Sequence, residues 1–208
     1  MSSVKVLGIV GFALSLTACV PDWARENETG LLMEIAGITG VPGNEGFAAG
    51  DILLSDVFPD LNDDALVTVN VYRKNPTVAS TSPLEHVRLE SYQVRYFRSD
   101  GQSVEGVDVP RRITGALSSQ RFHTPTETGE IEIDALVTVV RQQAKNEAPL
   151  RNLVGIFRGG TGSLLFPGQG IITTVAEITV YARQVTTGEP LSASGRFQVT
   201  FGDFDNAQ

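Results

Sequence analysis

The densest run of oxygen-bearing side chains spans residues 55–64 (SDVFPDLNDD). Within it Asp60, Asn62 and Asp64 occupy alternate positions. That spacing opens a calcium loop, where hard carboxylate and carbonyl oxygens converge on the ion. The rest of such a loop is missing. Ala65 stands where the sharp turn needs glycine, and Val71 stands where the bidentate glutamate belongs, which excludes an EF-hand. Calcium takes about six to eight oxygens, so a looser site would have to recruit Asp51, Asp56, Asp203 or Asp205 from other segments. The competing reading is a solvated loop whose Asp and Asn serve turn geometry. The expectation is that the chain carries no metal and no other cofactor.

Other constellations are thinner. Nucleophilic catalysis needs a serine or cysteine, a base and an orienting acid. The bases on offer are His86 and His123, and no Gly-x-Ser-x-Gly elbow occurs. Glu130, Glu132 and Asp134 alternate along an extended run, which puts all three on one strand face, about 7 Å apart. That arrangement reads as a wet sheet face rather than an acid–base pair for glycoside cleavage. Residues 159–163 (GGTGS) lack the lysine and helix start of a phosphate cradle. Arg95, Arg98, Arg111, Arg112 and Arg121 form either a local cationic patch or scattered partners for acids. Tyr92 and Tyr96 share a phase with Val94, which favours core packing over an exposed aromatic strip for a carbohydrate. No enzymatic activity is expected from this inventory.

Composition closes further classes. Lys and Arg total 16 against 24 Asp and Glu, a net charge of −8, which argues against nucleic acid as a partner. A single Cys and two His leave no Cys-cluster metal site, no internal disulfide and little for a His site. The 208 residues are enough for one hydrophobic core.

The elements that would position any site have a period of two. Apolar residues alternate at 31, 33 and 35; at 67, 69 and 71; from 131 to 139; from 176 to 182; and from 197 to 201. Each is the pattern of a half-buried antiparallel strand. Between Leu89 and Tyr92 the apolar phase switches from odd to even, which predicts a bulge near Glu90 and Ser91 or a change of sheet. Asp100-Gly101 marks a turn before a second extended stretch over 104–113, and residues 186–190 (TTGEP) close a hairpin. Only residues 142–153 have helix-forming composition, and Pro149 limits them to one or two turns. About seven to nine strands with little helix predict an all-β fold, an antiparallel immunoglobulin-like β-sandwich, or failing that a barrel.

The N-terminus carries an address. Lys5 precedes an apolar run over residues 6–16 (VLGIVGFALSL), too short to span a bilayer as a helix. Leu16, Thr17, Ala18 and Cys19 follow directly. This Leu-Thr-Ala-Cys run resembles the lipobox of bacterial lipoproteins. The resemblance implies cleavage before Cys19, acylation of its sulfur and new amine, and anchoring to membrane lipid through Cys19. Several acyl chains on one residue make a stable anchor. Val20 after the cysteine, by the same resemblance, does not favour inner-membrane retention, so an outer-membrane location is implied if the source has one. The final strands, residues 178–183 and 196–201 around Gly188 with the tail Gly202-Asp203-Phe204-Asp205, resemble the last strand pair of bacterial immunoglobulin-like surface domains.

The expected organisation is a signal peptide over 1–18, a lipidated Cys and tether over 19–30, and one β-sandwich over 31–208. The expected function is that of a non-enzymatic envelope lipoprotein, a structural or adhesion-type interaction module whose partner is an envelope protein or glycan. The alternative is a ligand- or carbohydrate-binding module.

Overall fold

The computed structural model describes residues 30–43, 47–49, 52–57, 61–74, 86–117, 130–153 and 170–204. The signal and lipobox residues, Leu16 to Cys19 included, lie outside them, as do Asp51, Asp60, Arg121, His123, residues 159–163 and Asp205.

The chain runs β1 (Leu31–Val41), β2 (Phe47–Ala49), β3 (Ile52–Asp56), β4 (Asp63–Arg73), β5 (Val87–Phe97), β6 (Ile113–Ala116), β7 (Glu130–Val140), α1 (Gln142–Lys145), a 3-10 turn (Leu150–Leu153), β8 (Ile171–Gln184) and β9 (Pro190–Gly202). The strands form two sheets, one in the order β1-β4-β7 and the other in the order β2-β3-β9-β8-β5-β6. This is an all-β sandwich. The alternation in the sequence is what makes it one. Ala65, Val67, Val69 and Val71 of β4 and Ile131, Ile133, Ala135 and Val137 of β7 form the inner face of the first sheet. Leu89, Val94, Ile178, Val180, Phe197, Val199 and Phe201 form the facing layer of the second.

The phase switch in β5 is a bulge. Its register with β8 shifts between Leu89 and Ser91, so Val87 and Leu89 point inward together with Tyr92, Val94 and Tyr96. At the bulge the Glu90 carboxylate accepts hydrogen bonds from Arg88 Nη2 (2.8 Å) and Arg183 Nε (3.3 Å). The Arg88 hydrogen bond, with the Arg183 charge and hydrogen bond added, outweighs the opposing effect of partial burial and holds the Glu90 carboxyl below its usual 4.5. A carboxyl depressed in the folded state stabilises the fold above its unfolded pKa, and that contribution is lost as pH falls through the folded value. In a carboxyl-carbon NMR titration Glu90 should therefore titrate below 4.5, and Arg88→Gln should raise its midpoint. An unmoved midpoint would refute the pairing.

Two features differ from the sequence reading. The sheet neighbours are antiparallel except for β3, which runs parallel to β9 with Ile52 opposite Gln198 and Asp56 opposite Gly202. β3 carries Ser55 and Asp56 into a strand although both belong to the acidic run read as a loop. The two residues are buried, which a local pattern cannot show. The stretch 104–113 is not extended over its length. Gly106 adopts φ +77°, its N–H donates to Val109 O (2.7 Å), and Asp108 N–H donates to Val104 O (2.9 Å), closing a tight turn. Asp108 Oδ2 accepts Val104 N–H (3.0 Å) across it, and only residues 113–116 pair as a strand. That short β6 approaches β5 closely because position 115 is glycine. A Cβ there would fall 2.4 Å from the Tyr92 ring.

β7 is an edge strand with an extra residue near its end. Asp63 pairs with Val140 and Asp64 with Thr138, which leaves Val139 as a bulge. Two tyrosines from the opposite sheet satisfy the backbone there. Thr138 N–H donates to Tyr92 Oη (3.1 Å), and Tyr96 Oη donates to Val139 O.

Candidate binding cleft

The bulge in β7 leads directly into α1, a single helical turn too short to hold itself. Two residues of the acidic run dock it. Asn62 Oδ1 accepts the Gln142 N–H (2.8 Å), supplying the cap that Arg141 at the N-cap position does not. Asp63 takes Lys145. The lysine is turned inward and is 3% exposed, and its Nζ lies 3.1 Å from Asp63 Oδ2. The same carboxylate accepts Ser55 Oγ (2.6 Å) at Oδ2 and Gly43 N–H (2.7 Å) at Oδ1. Burying a carboxylate is costly without a counter-charge and hydrogen bonds, and here the chain supplies both.

The calcium candidates therefore separate. Asn62 is committed to α1, Asp64 shares the outward phase of Leu66 and Thr68, and Asp60 lies outside the described residues. The inward acid is Asp63, between the spaced positions, and its partner is an ammonium group from the same chain. Asp56 and Asp203 are buried at adjoining strand ends, since Asp56 is in register with Gly202. Among the described residues no three His, Cys, Asp or Glu side chains form a metal-holding group.

With Lys145 pointing in, Gln143, Asn146 and Glu147 face out. Opposite them stands Arg111, after the 104–109 turn, and the 3-10 turn adds Arg151 and Asn152. They enclose an open cleft of about 900 Å³. A narrower pocket of about 150 Å³ adjoins it, where Arg112 and Arg141 join Arg111 and Gln143. Arg141 is fixed by donating from Nη2 to Thr114 O (2.6 Å). Arg111 lies against Gly106, where a Cβ would come within 3.3 Å of its Nε. The turn's glycine thus serves both its positive φ and the guanidinium beside it. The acids near these arginines hold them loosely. Arg111 Nε is 3.9 Å from Glu147 Oε2, and Arg112 Nε is 3.4 Å from Glu105 Oε2.

The other candidates fall elsewhere. Arg95 lies over the Phe97 ring (5.4 Å to its centroid) and Arg98 pairs with Asp100 (2.5 Å), so neither is held in the cleft. Glu132 and Asp134 lie on the exposed face of β7, where Asp134 Oδ1 accepts Thr68 Oγ1 (2.8 Å). Tyr92 and Tyr96 are core residues. His86 precedes β5, and its carbonyl accepts Val185 N–H (2.8 Å). Sequence reasoning missed Arg141, Arg151, Gln143 and Asn152 as site residues. Their one signal was the short helical composition of 142–153, which says nothing about what it faces.

No family model matches the chain, and no curated protein matches it. A solved structure of a family 123 glycoside hydrolase from Clostridium perfringens, described for glycolipid glycan hydrolysis, aligns with it at 11% identity and a TM-score of 0.28. The alignment covers 84% of this chain and 27% of that one, so the chain spans about a quarter of the hydrolase. A TM-score that low carries no conclusion about fold or activity.

Proposed function

We propose that this protein is a non-enzymatic binding module of the cell envelope, held at a membrane by acyl chains on Cys19, with its ligand seated in the cleft between α1 and the 104–112 segment. The observation that carries the reading is the cleft itself. It is a concave site lined by convergent amides and guanidiniums and fixed from behind by the buried Asp63–Lys145 pair. The concave, polar cleft supports the ligand-binding alternative over a purely adhesive role, whose working surface would be the open edge of a strand such as β7 or the exposed face that carries Leu66 and Leu136. The anchor rests on the lipobox resemblance. It places the cleft at a membrane surface without a spanning helix, and among the described residues no helix is long and apolar enough to cross one.

The two halves of the proposal are tested separately. Labelled palmitate should enter the wild type and not Cys19→Ser, and the variant should leave the detergent phase. Equal labelling of both would refute the anchor. On an array of envelope glycans and small metabolites, the full-length protein should bind at least one class, and Ala148→Trp, which fills the cleft from its wall, should abolish that binding. Binding indifferent to Ala148→Trp would refute the cleft.

A further inference from the structure

We infer that the cleft takes an acidic glycan, a short saccharide bearing carboxylate groups. The inference deepens the reading of the cleft as the binding site and rests on it. Charge is the first argument. In a chain of net charge −8, the cleft and its side pocket gather Arg111, Arg112, Arg141 and Arg151. The guanidinium fork matches a carboxylate in a planar, bidentate geometry. The acids present are weak competitors. The Arg111–Glu147 contact is 3.9 Å long between side chains 76% and 44% exposed, a solvent-screened pair that a ligand carboxylate can replace.

The walls supply the second argument. Gln143, whose Nε2 holds Glu147 Oε1 (2.8 Å), and Asn152 offer amides that both donate and accept, the pattern that vicinal hydroxyls require. The third argument concerns what the cleft does not offer. Among the described residues lining the larger cleft, Ala148 has the only apolar side chain, and the side pocket adds only Ile113 and Ala144. A peptide or an acyl chain needs apolar anchors or a strand edge to add to, and the larger cleft is walled by a helical turn, a 3-10 turn and a loop, with β6 reaching only the side pocket through Ile113. Anionic groups on a hydroxyl-rich frame remain, and the cleft is within the range of about 300–1,000 Å³ for ligand sites.

The test uses full-length protein in detergent and a panel of galacturonate, glucuronate and mannuronate oligosaccharides, each beside its methyl ester, with oligoglutamate and inorganic phosphate as contrasts. At least one uronate should bind about tenfold or more tightly than its ester, which keeps the hydroxyls and loses the charge. Raising salt from about 50 mM to about 500 mM should weaken it several-fold. Arg111→Gln with Arg151→Gln should weaken it at least tenfold, whereas Arg88→Gln, on the outer face of β5, should not. Esters that bind as well as the acids overturn the inference and leave the cleft as a site for neutral ligands. Oligoglutamate or phosphate binding as tightly as every uronate overturns it in favour of a general anion site. No binding by any member of the panel overturns it as well. The cleft reading itself falls only if Ala148→Trp leaves the array binding untouched.

Discussion

Lys145→Met is expected to cost about 3–5 kcal/mol of folding stability, because it leaves the Asp63 carboxylate buried without its counter-charge. A domain has about 5–15 kcal/mol in total, so the variant should melt on the order of 10 °C lower. The remaining bonds to Asp63, from Ser55 Oγ and Gly43 N–H, reduce the penalty without removing it. Asp63→Asn should also destabilise, since it strands the ammonium group. The double variant should lose less than the sum of the two singles by at least about 1 kcal/mol, which marks direct coupling. Urea denaturation of the four proteins gives the cycle. The same substitution should speed amide exchange in residues 142–147, because α1 has little else to dock it, and ligand binding in the cleft should fall with it. A loss below about 1 kcal/mol would mean that the pair is solvated and that α1 is positioned some other way.

Tyr96→Phe should cost about 1–3 kcal/mol, the penalty for a buried carbonyl left without a donor. The substitution keeps the ring, which packs edge-on against Phe201 with centroids 5.9 Å apart, so the loss isolates the hydroxyl that caps Val139 O. Burial pushes the Tyr96 hydroxyl far above its usual 10, and the nearby Asp63 charge adds to the shift. The group therefore stays protonated and donating, and the cost should not vary between neutral and mildly alkaline pH. Urea midpoints at two pH values measure it, with the denaturant slope expected to stay unchanged. A cost under about 0.5 kcal/mol, or one that vanishes at high pH, would show that the bulge of β7 is satisfied by solvent.

The sequence by itself determined the all-β class and favoured a sandwich over a barrel, and the two-sheet arrangement is that sandwich. Alternation through β1, β4, β7, β8 and β9 is a local property of neighbouring residues, and burial of one face follows from it. It also located the phase switch in β5 and narrowed it to a bulge or a change of sheet, of which the register with β8 shows the bulge, and it limited α1 through Pro149. The tertiary structure decided what depends on distant partners. β3 lies parallel to β9 because strands separated by most of the chain became neighbours, and no period reports a register of that kind. The acidic run looked like a place for an external cation because Asp60, Asn62 and Asp64 are legible as spacing. Asp63 became the buried acid because strand phase turns it toward Lys145, a residue whose composition in a short polar helix suggests only a solvated side chain. The cleft was equally invisible. Arg111 was legible as a cation, but its company of Arg141, Arg151, Gln143 and Asn152 exists only because that lysine docks one face of α1 and leaves the other facing the 104–112 segment.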